Sequence, residues 1–118
     1  MSKTVLIADD LPFFRVALKD ILMKGGYEVV GEATNGVEAV EKAKSLLPDI
    51  IILDVVMPVK TGLDAAKEIR LLRLQAKVVM CSSLGNEAIV DEALKSGACA
   101  YILKPLNEQT VLSTLERL

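Results

Sequence analysis

The feature that most constrains this chain is a fivefold alternation between short aliphatic runs and segments whose apolar residues recur every three or four positions. The runs are TVLIA (4–8), YEVVGEA (27–33), IIIL (50–53), KVVMC (77–81) and AYIL (100–103). Each is strand-length and none is long enough for a helix of ordinary size. Between and after them lie five amphipathic stripes. The first is Phe13 or Phe14 with Ala17, Leu18, Ile21 and Leu22, and the second is Val37, Val40, Ala43 and Leu47. Leu63, Ala66, Ile69 and Leu72 make the third, and Ile89, Ala93 and Leu94 the fourth. Val111, Leu115 and Leu118 make the last. Gly25-Gly26, Pro48-Asp49 and Gly97 supply breaks where the alternation needs them. Strands separated by helices must run parallel with right-handed crossovers, and the helices must cover both faces. The predicted fold is α/β, a single (βα)5 doubly wound domain over residues 1–118.

Composition agrees with that architecture. Hydrophobic residues are 52% of the chain and aromatic ones only 3%, so the core must be aliphatic, as parallel strands buried on both faces require. The formal net charge is −2 with both signs interspersed, which gives no footprint for direct nucleic-acid binding. No apolar run approaches the roughly 20 residues of a membrane span, and no leader pattern opens the chain. A cytoplasmic protein without a membrane partner is expected. There is no histidine, which excludes histidine acid–base chemistry and a Ser-His-Asp triad. The two cysteines, Cys81 and Cys99, are expected to be buried inert thiols, neither a disulfide nor a zinc site.

In an open sheet of this kind, functional groups gather beyond the carboxyl ends of the strands. The first strand ends in Asp9-Asp10 and the third in Asp54. The fourth ends in Ser82-Ser83 and the fifth in Lys104-Pro105. Asp54 is the strongest signal, because an ionised carboxylate at the end of IIIL (50–53) is costly unless something compensates it. If these strand ends are neighbours, three carboxylates meet in one pocket and repel one another unless a cation joins them. Oxygen donors without His or Cys favour a hard ion, and Mg²⁺ fits best. Asp54 can then serve as a nucleophile toward a phosphoryl group, with Lys104 and the Ser82 hydroxyl on the phosphoryl oxygens.

IADD (7–10), LDVVMP (53–58), Gly62, CSS (81–83) and KP (104–105), in that order, resemble the receiver domain of two-component response regulators, most closely its single-domain chemotaxis members. The resemblance covers nearly the whole chain. It implies a flavodoxin-like strand order of 2-1-3-4-5. It also implies a phosphorylation-activated signalling switch that catalyses only its own phosphorylation and dephosphorylation. Asp54 would be the phosphoacceptor and Lys104 the phosphate-binding lysine, with a cis Lys104-Pro105 bond. Asp10 would ligate Mg²⁺ directly, Asp9 mainly through water, and Val56 through its backbone carbonyl. Ser82 and Tyr101 would form the switch, coupling the phosphoryl group to a face made by the fourth helix, fifth strand and fifth helix. Glu87, Asp91 and Lys95 are expected outward on that helix, with Asn86 as its N-cap. The implied partners are a histidine kinase as phosphodonor, a target on that face (in chemotaxis, the flagellar switch protein), and a phosphatase.

Two side positions depart from the best-known chemotaxis receivers: Val56 and Leu84, each two residues past a strand-end site residue, are apolar. They should flank the path of attacking water, so slow self-dephosphorylation is expected. Phe13, Phe14 and Met57 read as packing residues, with Phe13 and Met57 near the pocket mouth. Other readings stay open on sequence. The chain could be a receiver from a multidomain DNA-binding regulator or a phosphorelay intermediate. An aspartate-nucleophile phosphatase would need an acid where Val56 stands, and a flavin mononucleotide site would be repelled by Asp9-Asp10.

Overall fold

The structure, a computed structural model, describes residues 2–118. Five strands, β1 (Thr4–Ala8), β2 (Glu28–Ala33), β3 (Ile50–Leu53), β4 (Lys77–Ser82) and β5 (Ala98–Leu103), alternate with five helices. These are α1 (Pro12–Lys24), α2 (Gly36–Leu46), α3 (Gly62–Leu71), α4 (Glu87–Lys95) and α5 (Glu108–Glu116). The strands form one sheet in the order β2-β1-β3-β4-β5, and every neighbouring pair is parallel. The order expected from the resemblance is therefore the order observed. Four helices begin with an amide-accepting side chain: Asn35, Thr61, Asn86 and Asn107 each accept from the backbone N–H three residues on. α1 uses Pro12 in its first turn instead.

Strand side chains alternate between the two faces, and the core divides accordingly. Leu6, Ala8, Ile51 and Leu53 face α2, α3 and α4, whose small residues Ala39, Ala43, Ala65, Ala66 and Ala93 let helix backbones approach closely. Val5, Ile7, Ile50 and Ile52 face α1 and α5, against Leu18, Leu22, Val111 and Leu115. All four residues of β3 are buried, each worth roughly 1.5–3 kcal/mol, so the strand is firmly anchored before its carboxylate begins.

Several packing expectations need correction. On α2 the buried stripe is Gly36, Ala39, Val40 and Ala43, whereas Val37 is exposed and Leu47 lies past the helix end at φ 48°. Alanine rather than the larger residue faces the sheet because α2 packs close to it. Leu94 and Phe13 are also exposed, because each falls off the stripe its helix turns inward, and Leu72 is exposed just past the end of α3. β5 begins at Ala98 and lies at the sheet edge, which leaves Cys99 exposed rather than buried. Cys81, on the interior strand β4, is buried as expected. Among the described residues no helix is long and apolar enough to cross a membrane.

Candidate functional site

The strand order positions the site directly. Ala8 pairs with Leu53 across β1 and β3, so the next residues, Asp9 and Asp54, leave the sheet side by side. The backbone continues the ladder: the Asp54 N–H donates to the Ala8 carbonyl at 2.9 Å, and the Asp9 N–H to that of Ala33 at 3.0 Å. On the other flank, Lys104 follows β5 and its N–H donates to the Ser82 carbonyl at 2.9 Å. The Lys104–Pro105 peptide is cis. Its side chain then reaches across the end of β4 to the carboxylates.

Lys104 Nζ donates to Asp9 Oδ2 at 2.7 Å and to Asp54 Oδ2 at 2.9 Å. All three side chains are nearly buried, at 7% to 8% exposed. The remaining carboxylate oxygens are also engaged. Asp54 Oδ1 accepts from the Val56 N–H at 3.2 Å, and Asp9 Oδ1 accepts from the Leu11 N–H at 2.9 Å. The Asp9 carbonyl accepts from Arg15 Nη1 at 2.7 Å, and Arg15 is itself paired with Glu32. No buried side-chain N or O among the described residues lacks a hydrogen-bond partner.

One ammonium thus serves two buried carboxylates, and a third, Asp10, stands exposed beside them. Burial pushes the Asp54 carboxyl above its ordinary value, an effect only partly offset by the hydrogen bond and charge of Lys104. Burial also pulls the Lys104 ammonium down, but its bonds to Asp9 and Asp54 outweigh this and hold it above the usual lysine value. Carboxylate oxygens of Asp9, Asp10 and Asp54 lie within 4.8 Å of one another. Three carboxylates against one ammonium leave a formal charge of −2, and the donors are all oxygen. Such a set suits a hard divalent cation such as Mg²⁺. Cys81, which shares a small pocket with Asp9, Asp54 and Lys104, is buried and its thiol is pushed up to about 12, so it stays protonated.

Above the carboxylates opens a cavity of ≈ 320 Å³ lined by Asp10, Asp54, Val56, Ser82, Leu84 and Lys104, among others. The structure therefore brings together every site residue read at the strand ends, although they come from four strands. Ser82 is buried, its Oγ accepting from the Leu84 N–H at 3.2 Å. Val56 and Leu84 present apolar side chains at the mouth, 58% and 38% exposed. Tyr101 lies outside this cavity. It is half-buried, and its hydroxyl donates to the Leu84 carbonyl, so it touches the loop that follows Ser82. Glu87, Asp91 and Lys95 are exposed on α4. Met57 is buried rather than at the mouth.

Two contributions exceed the sequence expectations. Phe14 is more than packing: its ring centroid lies 3.7 Å from Lys104 Nζ, a cation–π contact that steadies the ammonium. The available signal was its place on the α1 stripe one turn before Leu18, which sets it beside the end of β1. Gly62 is required by space. A Cβ there would stand 1.9 Å from the Asp54 carbonyl oxygen, because α3 starts directly against the Asp54 backbone.

The comparisons with known proteins agree with this geometry. A chemotaxis protein CheY from Thermotoga maritima is 51% identical over 117 residues, covering 99% of this chain and 98% of the relative. A CheY from Bacillus subtilis is 43% identical over the same shares. Among solved structures, a CheX–CheY–BeF3–Mg complex from Borrelia burgdorferi superposes with a TM-score of 0.94 at 35% identity, covering 98% of this chain and 87% of that one. The sequence pattern of the response regulator receiver domain matches residues 5–116, and the chain belongs to that family.

Proposed function

We propose that this receiver is a phosphorylation-activated switch in which Asp54 accepts a phosphoryl group from a histidine kinase. The observation that carries the reading is the placement of Asp54: a nearly buried strand-end carboxylate, bonded to Lys104 and grouped with Asp9 and Asp10 under an open cavity. An Asp54 carboxylate oxygen attacks the phosphorus of the kinase phosphohistidine. The P–O bond forms, the P–N bond breaks, and the departing imidazole takes up a proton. Asp9, Asp10, Asp54 and the Val56 carbonyl would hold Mg²⁺, which when bound neutralises charge on the phosphoryl oxygens. Lys104 supplies the cation on the opposite side, already held above its usual pKa and so fully charged. The chain's own catalysis extends only to gaining and losing this group.

Ser82 supplies the lever. Its hydroxyl accepts from the Leu84 amide at 3.2 Å and also reaches the Tyr101 hydroxyl, and an incoming phosphoryl oxygen can draw it away from both. Leu84 also holds Tyr101 through its carbonyl, so a shift of this loop reaches β5. The face of α4, β5 and α5 is thereby coupled to Asp54 as the target-binding surface, a two-state element biased by a local charge change. The names of the relatives support a chemotaxis role; the family resemblance would make the flagellar switch protein the target, a phosphatase a further partner and the cytoplasm the place of action. The test is intact-mass measurement after incubation with Mg²⁺ and acetyl phosphate. Wild type is expected to gain one phosphoryl group and Asp54→Ala none. An adduct that survives in Asp54→Ala, or no adduct on wild type, overturns the assignment.

A further inference from the structure

A second cavity lies at the opposite edge of the sheet from the carboxylates. It measures ≈ 470 Å³ and opens where β1, β3 and β4 begin and where α2 and α3 end. A volume of this size is within the range of ligand pockets, about 300–1,000 Å³. Its apolar wall is made by Ala43, Leu47, Pro48, Leu74 and Ala76. Its rim carries Lys3, Arg73 and Lys77, and none of these is in an ion pair among the described residues. Asp49 is the one acid in the lining, and its carboxylate is engaged by the Thr4 amide at 2.7 Å and the Thr4 hydroxyl at 3.2 Å.

Charge decides what such a cavity can hold. Three cations against one carboxylate leave a local charge of +2, in a chain whose formal net charge is −2. The ends of α2 and α3 oppose this with about half an elementary negative charge each, which still leaves the rim positive. Among the described residues three non-glycine ones have positive φ, and two of them line this cavity: Leu47 at 48° and Arg73 at 58°. A left-handed conformation costs a residue with a Cβ roughly 1–2 kcal/mol. Both residues stand where a helix stops, Leu47 as the C-cap of α2 and Arg73 just past α3, and these helix ends place one apolar wall residue and one cation in the lining of the same opening.

We propose that this cavity is a binding site for a small organic anion with an apolar body, such as an aryl or alkyl sulfonate, carboxylate or phosphate monoester. The apolar body would lie against Leu47 and Leu74, with the anionic group among Lys3, Arg73 and Lys77. This site is independent of the Asp54 assignment.

The test uses 1-anilinonaphthalene-8-sulfonate as probe on the unphosphorylated full chain, followed by fluorescence and by amide NMR shifts. Saturable one-to-one binding is expected, with shifts clustered at residues 47–49 and 73–77. The exposed double reversal Arg73→Glu/Lys77→Glu should weaken binding about tenfold or more while leaving the melting temperature unchanged. Leu74→Asn is a second variant that should weaken binding through the apolar wall. The uncharged probe N-phenyl-1-naphthylamine and inorganic phosphate should each bind far more weakly, since each lacks one half of the recognition. Unchanged affinity in the double reversal, equal binding of the uncharged probe, or shifts centred on exposed Phe13 would overturn the proposal. Co-sedimentation of the chain with phosphatidylglycerol vesicles, abolished by the same reversal, would assign the rim to a bilayer surface and overturn it too.

Discussion

Lys104 is the single cation between two nearly buried carboxylates, so removing its charge tests the electrostatics of the site most directly. Lys104→Met keeps most of the stem against Phe14 and deletes the ammonium. At separations of 2.7 and 2.9 Å and an effective dielectric of about 20, each attraction is worth about 6 kcal/mol before desolvation. Desolvating the three ions cancels much of that. Breaking a buried pair by removing one partner nevertheless costs about 3–5 kcal/mol, because the other charge stays buried. The expected loss at neutral pH in EDTA is therefore about 4 kcal/mol, or a melting temperature lower by about 10–20 °C. Urea and thermal unfolding with circular dichroism read both quantities. The pH dependence has a definite sign. Lys104 is held above its usual value, so its contribution is intact below about 10.5 and is lost only as pH rises through the higher folded value. Asp54 is also raised, so its ionisation costs stability above its folded value, and that cost vanishes as pH falls through it. The variant's deficit should thus be largest at neutral pH and shrink on acidification. A variant within about 1 kcal/mol of wild type in EDTA, or a deficit that grows in acid, would refute the reasoning.

Other outcomes follow from particular contacts. Gly62→Ala should lose about 3 kcal/mol in chemical denaturation, since its Cβ would meet the Asp54 carbonyl oxygen at 1.9 Å; an unchanged midpoint would show that α3 shifts freely. Iodoacetamide at mildly alkaline pH should add one group to the native protein, at exposed Cys99. The second should follow only on unfolding, because Cys81 is buried with its thiol pushed up to about 12; two rapid native adducts would contradict that burial. Val56→Asn should accelerate loss of the phosphoryl group from Asp54, as it replaces an exposed apolar side chain at the cavity mouth with one that can orient water; decay no faster than wild type would exclude Val56 as a shield.

Much of the molecule was legible because local chemistry and global fold agree. The aliphatic runs at 4–8 and 50–53 are the strands observed, and α4 starts where Asn86 caps it, as expected. Asp9, Asp54, Ser82 and Lys104 stood out because a polar residue ending an aliphatic run has no packing reason to be there. Less was legible where side chains of similar hydropathy compete. Val37 and Leu47 looked like core, yet Ala39 and Ala43 face the sheet, since helix rotation is set by how closely backbones pack. Cys99 looked buried, yet an edge strand leaves it exposed.

The sequence by itself determined the alternation of elements and the chemical identity of the site, because periodicity and stranded carboxylates are local properties. The tertiary structure alone decided that Ala8 sits beside Leu53, and hence that Asp9 and Asp54 share one ammonium. It also decided that Phe14 lies against Lys104 and that Lys3, Arg73 and Lys77 rim one cavity. Those are encounters between residues far apart in the chain, and only the packing of the layers brings them within the few ångströms over which charge acts.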